Sequence, residues 1–397
     1  MAGKPVMLNT ALSPWPSFTQ EEADAVSRVL LSNKVNYWTG SECREFEKEF
    51  AAFAGTQYAV AVANGTLALD VALKAISIGA GDDVIVTSRT FLASASCIVT
   101  AGANPVFADV DLNSQNISAE TIKAALTPNT KAIIVVHLAG MPAEMDGIMD
   151  LAKEHDLRVI EDCAQAHGAK YKGKSVGSIG HVGAWSFCQD KIMTTGGEGG
   201  MVTTNDKELW SKMWSYKDHG KSYDAVYNRE HAPGFRWLHE SFGTNWRMME
   251  MQAVIGRIQL KRMPEWTARR QAHAAKLAES LGKFASIRLV EVADYIEHAQ
   301  YKFYVFVKPE HLKDGWTRDR IVNELNARKV PCYQGSCSEV YLEKAFDDTP
   351  WRPKERLKNA VELGDTSLMF LVHPTLTDEE IAFCKENIEA VLIEATA

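Results

Sequence analysis

The sequence has no long apolar run. Nothing in it approaches the roughly 20 apolar residues that a membrane-spanning helix needs, so no membrane partner is expected. Met1 to Thr19 carries one lysine and no continuous apolar core, so a secretory leader is not expected either. Positive charge is in short supply: 43 Lys and Arg stand against 51 Asp and Glu, a formal net charge of −8. A general nucleic-acid binder wants a basic face for the phosphates, and no nucleic acid partner is expected here. Cysteine is sparse and unpatterned. The seven residues (Cys43, Cys97, Cys163, Cys188, Cys332, Cys337 and Cys384) are odd in number and lack C-x-x-C spacing. They predict neither a disulfide framework nor a metal site, and the cytoplasm is the default compartment. Also missing are a G-x-G-x-x-G after a strand and a G-x-x-x-x-G-K-[ST], which removes the fingerprints of dinucleotide and P-loop proteins.

What is present is an ordinary globular mix, 46% hydrophobic and 24% charged. The length of 397 residues suggests two to three domains. Short β-rich runs alternate with helical ones. Residues 83–87 (DVIVT), 105–109 (PVFAD), 132–137 (AIIVVH), 158–161 (RVIE) and 184–187 (AWSF) read as strands. Several are almost wholly apolar, as strands covered on both faces are. Helical stretches are expected at residues 21–32, 67–76, 118–126 and 143–154. The alternation predicts an α/β fold with a mostly parallel central sheet sandwiched by helices. A long helical pattern at 248–281, expected to break at Pro264, leads into a strand at 302–307 and helices at 318–328 and 378–393. The domain change is placed near residue 256, giving a large domain 1–255 and a smaller α+β domain 256–397.

Three stretches carry the chemistry. An acidic pair, Glu161-Asp162, follows an apolar strand, at the end where α/β sheets hold ligands; one carboxylate there suits a protonated ring nitrogen, while the plainer role is a helix N-cap. Next, the strand containing Ser186 leads to Lys191 and then to Gly196, Gly197, Gly199 and Gly200. A lone lysine is usually a solvated charge, but glycines allow close approach of backbone N–H groups to a ligand, and a nucleophilic amine is served by partial burial near a cationic group. Last, Asn64-Gly65-Thr66 opens a helix and offers N–H groups, a hydroxyl and the helix dipole to an anion; most such starts are plain caps.

Taken in order, these and other stretches resemble the DegT/StrS-type nucleotide-sugar aminotransferases, which have the aspartate-aminotransferase fold (fold type I). The resemblance spans nearly the whole chain: 63–68 (ANGTLA), 89–94 (RTFLAS), 137–146 (HLAGMPAEMD), 161–168 (EDCAQAHG), 186–200, 243–252 (GTNWRMMEMQ) and 368–374 (LMFLVHP). It implies pyridoxal 5′-phosphate as cofactor, bound covalently to Lys191 as a Schiff base. That lysine is then the proton shuttle between donor, cofactor and sugar. Asp162 pairs with the ring nitrogen, Gln165 lies on the ring-oxygen side, and Phe91 stacks on the ring rather than filling a core. Gly65, Thr66 and Ser186 hold the phosphate. Asn245 reaches that phosphate from a neighbouring subunit, which implies a homodimer with shared sites; its plainer role is a turn residue.

Many relatives run K-T-x-T-T-G-E-G-G, and the stretch after Lys191 here has one glycine more. That loop resembles the family's C4-aminating enzymes, those acting at C3 more often carrying K-N-L-G. The implied reaction passes the amino group of L-glutamate, through the pyridoxamine form of the cofactor, to C4 of a nucleotide-linked 4-keto-6-deoxy sugar. C3 amination is the nearest alternative. Related dehydratases have a histidine in place of the lysine, and regulatory homologues need not keep Lys191, Asp162 and the loop together. Tyr37 and Trp38 are candidates either for stacking on a base or sugar or for packing. His137, His167 and His219 read as structural.

Overall fold

A computed structural model describes residues 12–234 and 236–397. The main sheet uses β1 (Tyr58–Val62), β2 (Asp83–Thr87), β3 (Asn104–Ala108), β4 (Thr130–Val136) and β5 (Arg158–Asp162). After a small hairpin, β6 (Lys170–Tyr171) and β7 (Lys174–Ser175), it gains β8 (Val182–Ser186) and β9 (Gly200–Thr204). The seven strands lie in the order β1-β9-β8-β5-β4-β2-β3. Pairs β3–β2, β2–β4, β4–β5 and β5–β8 are parallel, and β9 runs antiparallel to both its neighbours. Parallel pairing sets Val136 beside Asp162 and Asp162 beside Ala184. The carboxyl ends of β4, β5 and β8 therefore open onto one edge, where the intervening loops collect.

The inner strands are buried along nearly their whole length, β8 and β9 at every residue, because helices cover both faces. One core cluster joins helix Glu42–Ala54 (Phe46, Phe50) to β8 (Trp185) and to Phe187 just beyond it; a second packs β4 and β5 against helix Met145–Glu154. A four-stranded antiparallel sheet follows: β10 (Ile287–Leu289), then, past β11 (Ile296–Glu297), β12 (Phe303–Val307), β13 (Cys332–Tyr333) and β14 (Ser367–Phe370), in the order β10-β12-β14-β13. Its β12 and β14 pack in a third cluster with helices Arg318–Ala327 and Asp378–Ala395. We propose the division near residue 256 as one between these two sheets. None of the helices among the described residues is long and apolar enough to cross a membrane.

The expected break at Pro264 is absent: Glu250–Leu281 is one helix of 32 residues with the proline inside it. Pro264 cannot supply the N–H for the carbonyl four residues back. Burial continues on both sides of it, at Gly256, Leu260 and Met263 before and at Arg270, Ala274 and Leu277 after, so tertiary packing keeps the helix continuous across the missing bond. Sequence reading also missed β1, β9 and the helix Glu42–Ala54.

Candidate active site

Consecutive residues of a strand face opposite ways, and this divides the acidic pair between two tasks. Glu161, fully buried, turns away from the loop edge. It accepts hydrogen bonds from His137 Nε2 (2.9 Å) and from the backbone N–H groups of Gly177 (2.8 Å), Ile179 (2.8 Å) and Gly180 (2.6 Å). His137 Nδ1 accepts from the Ala143 N–H at 3.1 Å, which leaves the ring proton on Nε2 for Glu161. Burial alone would raise the Glu161 carboxyl, but the His137 hydrogen bond and the backbone N–H groups outweigh it and hold it below its usual range. Cys163 Sγ lies within 4.8 Å of these His137 and Glu161 atoms. Both Glu161 oxygens and both His137 nitrogens are already engaged, so hydrogen bonds account for this cluster.

Asp162 points the other way, into a cavity of about 610 Å³ at the carboxyl edge of the sheet. Its carboxylate accepts from Ser94 Oγ (2.8 Å) and from the Ala164 N–H (3.1 Å). Burial pushes this carboxyl up, against those hydrogen bonds and the charge of Lys191. No helix follows β5 directly, so the N-cap role does not arise. An enclosed carboxylate with two neutral donors and, among the described residues, no ion pair is suited to a cationic guest.

Gly65, Thr66, Phe91, Gln165, Ser186 and Lys191 line the same cavity. Asn64 caps the helix Gly65–Ala75 by accepting the Leu67 N–H at 3.0 Å, so the N–H groups of Gly65 and Thr66 remain at the open helix end. A Cβ on Gly65 would stand 2.4 Å from the Ser186 Cβ; only glycine lets these two elements meet. Gln165 is oriented by its Oε1, which accepts the Ala139 N–H at 2.8 Å and leaves the amide NH₂ as its donor end. Phe91 is 71% exposed, hence no core residue. Lys191 sits not at the strand end but on a turn beyond Ser186, its N–H bonded to the Cys188 carbonyl at 3.0 Å. Its Nζ lies 3.3 Å from Asp190 Oδ1, and Trp15 Nε1 donates to its carbonyl at 2.8 Å. Gly196 (φ 87°) and Gly197 (φ 123°) carry the loop that follows through backbone angles other residues avoid.

Asn245 is not in this cavity. It is exposed, bridged by its backbone to Asp218, in a loop whose Trp237 and Phe242 are 93% and 98% exposed. Tyr37 is buried, accepting from Trp214 Nε1 at 3.0 Å, and Trp38 stands edge-on to Trp214, so both pack. His167 is fully buried against Trp185 and Phe187 and burial holds it at about 3, a neutral core ring. His219 lies in an exposed turn at φ 60°. Ser94 was missed in the sequence; the stretch 89–94 pointed to it, but a serine at a helix start gives no sign of the carboxylate it will meet.

The profile of the DegT/DnrJ/EryC1/StrS aminotransferase family matches residues 16–389. The chain belongs to this family. It is accordingly a pyridoxal-phosphate-dependent sugar aminotransferase. An aminotransferase from Psychrobacter cryohalolentis, solved by X-ray crystallography, is 65% identical and superposes with a TM-score of 0.94, covering 96% of this chain and 99% of its own. GDP-perosamine synthase of Caulobacter vibrioides is 37% identical, over 88% of this chain and 90% of its own. A UDP-N-acetyl-3-dehydro-alpha-D-glucosamine 3-aminotransferase of Acidithiobacillus ferrooxidans is also 37% identical, over 90% of each. The cavity fits the cofactor of the family. It sets an enclosed carboxylate without an ion pair, an open helix N-terminus beside a serine, and a lysine amine around one space.

Proposed function

We propose that this aminotransferase moves the amino group of L-glutamate to C4 of a nucleotide-linked 4-keto-6-deoxy sugar, as a homodimer, to make amino sugars for surface polysaccharides. The observation that carries the reading is the convergence of Lys191, Asp162 and the Gly65–Thr66 helix end on one cavity. Bound there, pyridoxal phosphate supplies an electron sink for the charge that develops at the donor's α carbon.

The protein's own groups do the rest. Asp162 accepts the ring N–H and, being enclosed, keeps that nitrogen protonated. Thr66, Ser186 and the free N–H groups of Gly65 and Thr66 hold the phosphate. Gln165 offers its amide NH₂ to the ring oxygen, and Phe91 covers the ring. The Lys191 amine takes the proton from the donor's α carbon and, in the second half of the cycle, gives one to the former keto carbon of the sugar. Asn245, which does not line the cavity of its own chain, serves the phosphate of the partner subunit.

C4 is supported by the loop from Thr194 to Gly200, which resembles the C4-aminating members. A second reading, C3 amination, is favoured by the name of the Acidithiobacillus ferrooxidans relative. A panel of 4-keto and 3-keto sugar nucleotides with glutamate separates them. Amination of 4-keto substrates alone is expected, and a product aminated only at C3 overturns the regiochemistry.

A further inference from the structure

Behind Lys191 lies a second cavity, of about 720 Å³, which shares Asp190 with the cofactor cavity. Two lysines line it, Lys302 from the residue just before β12 and Lys329 from the turn after helix Arg318–Ala327. Among the described residues neither has a carboxylate within ion-pair distance. Asp190, the acid on this wall, is already held by Lys191 at 3.3 Å and by the Tyr301 hydroxyl. Burial, with Arg270 and Lys191 nearby and against the charge of Asp190, pushes the Lys302 ammonium down to about 8, so a guest anion would favour its charged form.

The other walls are aromatic. Trp15 is fixed on several sides: its ring is stacked on His373 at 6.1 Å, stands edge-on to Trp266 at 5.1 Å, and donates its N–H to the Lys191 carbonyl. Tyr333 lies on the same cavity and is 49% exposed. His373 is held at about 3 by burial and adds no charge at neutral pH. Two amines, aromatic faces and this volume, next to the reacting lysine, match a ligand with a flat ring and two adjacent negative groups. Glutamate is far smaller and has no ring.

We propose that this second cavity takes the nucleoside diphosphate half of the sugar substrate, with Lys302 and Lys329 on the diphosphate and Trp15 or Tyr333 against the base. The assignment rests on the nucleotide-sugar reading above and adds where the nucleotide binds. The diphosphate is then anchored on the C-terminal sheet while the keto carbon reaches Lys191 past Asp190.

Calorimetric titration of the cofactor-loaded enzyme with UDP, GDP and dTDP tests it. The variants are Lys302→Met and Lys329→Asn; asparagine is chosen because Lys329 has φ 65°, which Asn tolerates. Thermal melts of both confirm folding, and Lys329, being exposed, keeps the test open if the buried position does not tolerate change. One of the three nucleotides should bind the wild type and bind each variant about tenfold or more weakly, the loss of one charge-assisted contact. The half-reaction with glutamate alone, read from cofactor absorbance, should stay within about twofold. Absence of binding by all three, or equal affinity in folded variants, overturns the assignment. So does a glutamate half-reaction that slows as much as binding weakens, which would give the site to the donor. Binding is measured without any keto sugar. An enzyme that holds a nucleotide through these lysines but aminates no 4-keto sugar therefore upholds this site and overturns the proposed reaction.

Discussion

At the scale of single residues, the molecule shows how two neighbouring carboxylates part ways. Glu161 and Asp162 are one residue apart and both buried, yet one has its full set of donors and the other is short of a cation. For Asp162 the sign is clear. Burial raises its folded-state pKa above the ordinary 3.8, so in the cofactor-free protein the stability it allows is complete below that value and is lost as pH rises through the folded pKa. Cofactor-free Asp162→Asn at pH 7 should therefore unfold no earlier than wild type in a thermal melt. The rate of the cofactor-loaded variant with glutamate should fall roughly a hundredfold or more, as for loss of a preorganised charge at a reacting group. A variant that melts earlier yet reacts normally would make Asp162 a structural residue. Lys191→Ala should keep its circular dichroism spectrum and show at most roughly a thousandth of wild-type turnover. The sequence made Asp162 and Lys191 candidates because motif order singles them out. It did not reveal Ser94 or the saturated shell of Glu161, because those bonds join β5 to helices and loops that only the folded chain brings near.

At the scale of elements, β5 is a lock as well as a platform. Its Glu161 fastens His137, at the end of β4, to the loop 177–180 that leads into β8. Glu161→Ala strips four donors of their acceptor at once and should cost roughly 3–5 kcal/mol, the scale for breaking a buried charged network; the urea midpoint at pH 7 measures it. Because the Glu161 carboxyl is held below its ordinary 4.5, its contribution is present above that value and lost as pH falls through the lower folded pKa. Wild type should lose stability in that acid window while Glu161→Gln, which cannot ionise, shows a flatter profile. The parallel core strands were legible because each carries a run of adjacent apolar residues. Strand β1, Tyr58–Val62, was not read although it is as long as β2 and β5; it runs almost directly into the Asn64 cap. Nor was β9, whose Gly200–Thr204 begins in a glycine loop and ends in two threonines. The helix through Pro264 was misread because a local rule was set against burial on both sides of it.

At the scale of the whole molecule, Asn245, Trp237 and Phe242 are exposed and do not line the cavity of their own chain, and we propose that they meet a second copy. Light scattering should give twice the chain mass. Asn245→Ala and Lys191→Ala subunits, each poor alone, should regain part of the wild-type rate when exchanged into mixed dimers, since one composite site then carries both defects and the other neither. Exchanged dimers no more active than their parents would count against shared sites. The mostly parallel main sheet was legible from the order of runs; the antiparallel sheet was not, since of its strands only β12 was read. An interface is a property of surfaces, and one chain's sequence does not say which loop tip meets a partner. The Trp15 indole has a last consequence. Because it grips the backbone of Lys191 from a segment near the start of the chain, shortening the protein from that end is not a cosmetic edit. Removing residues up to Trp15, or replacing them with a purification handle, would act as an active-site mutation made at a distance.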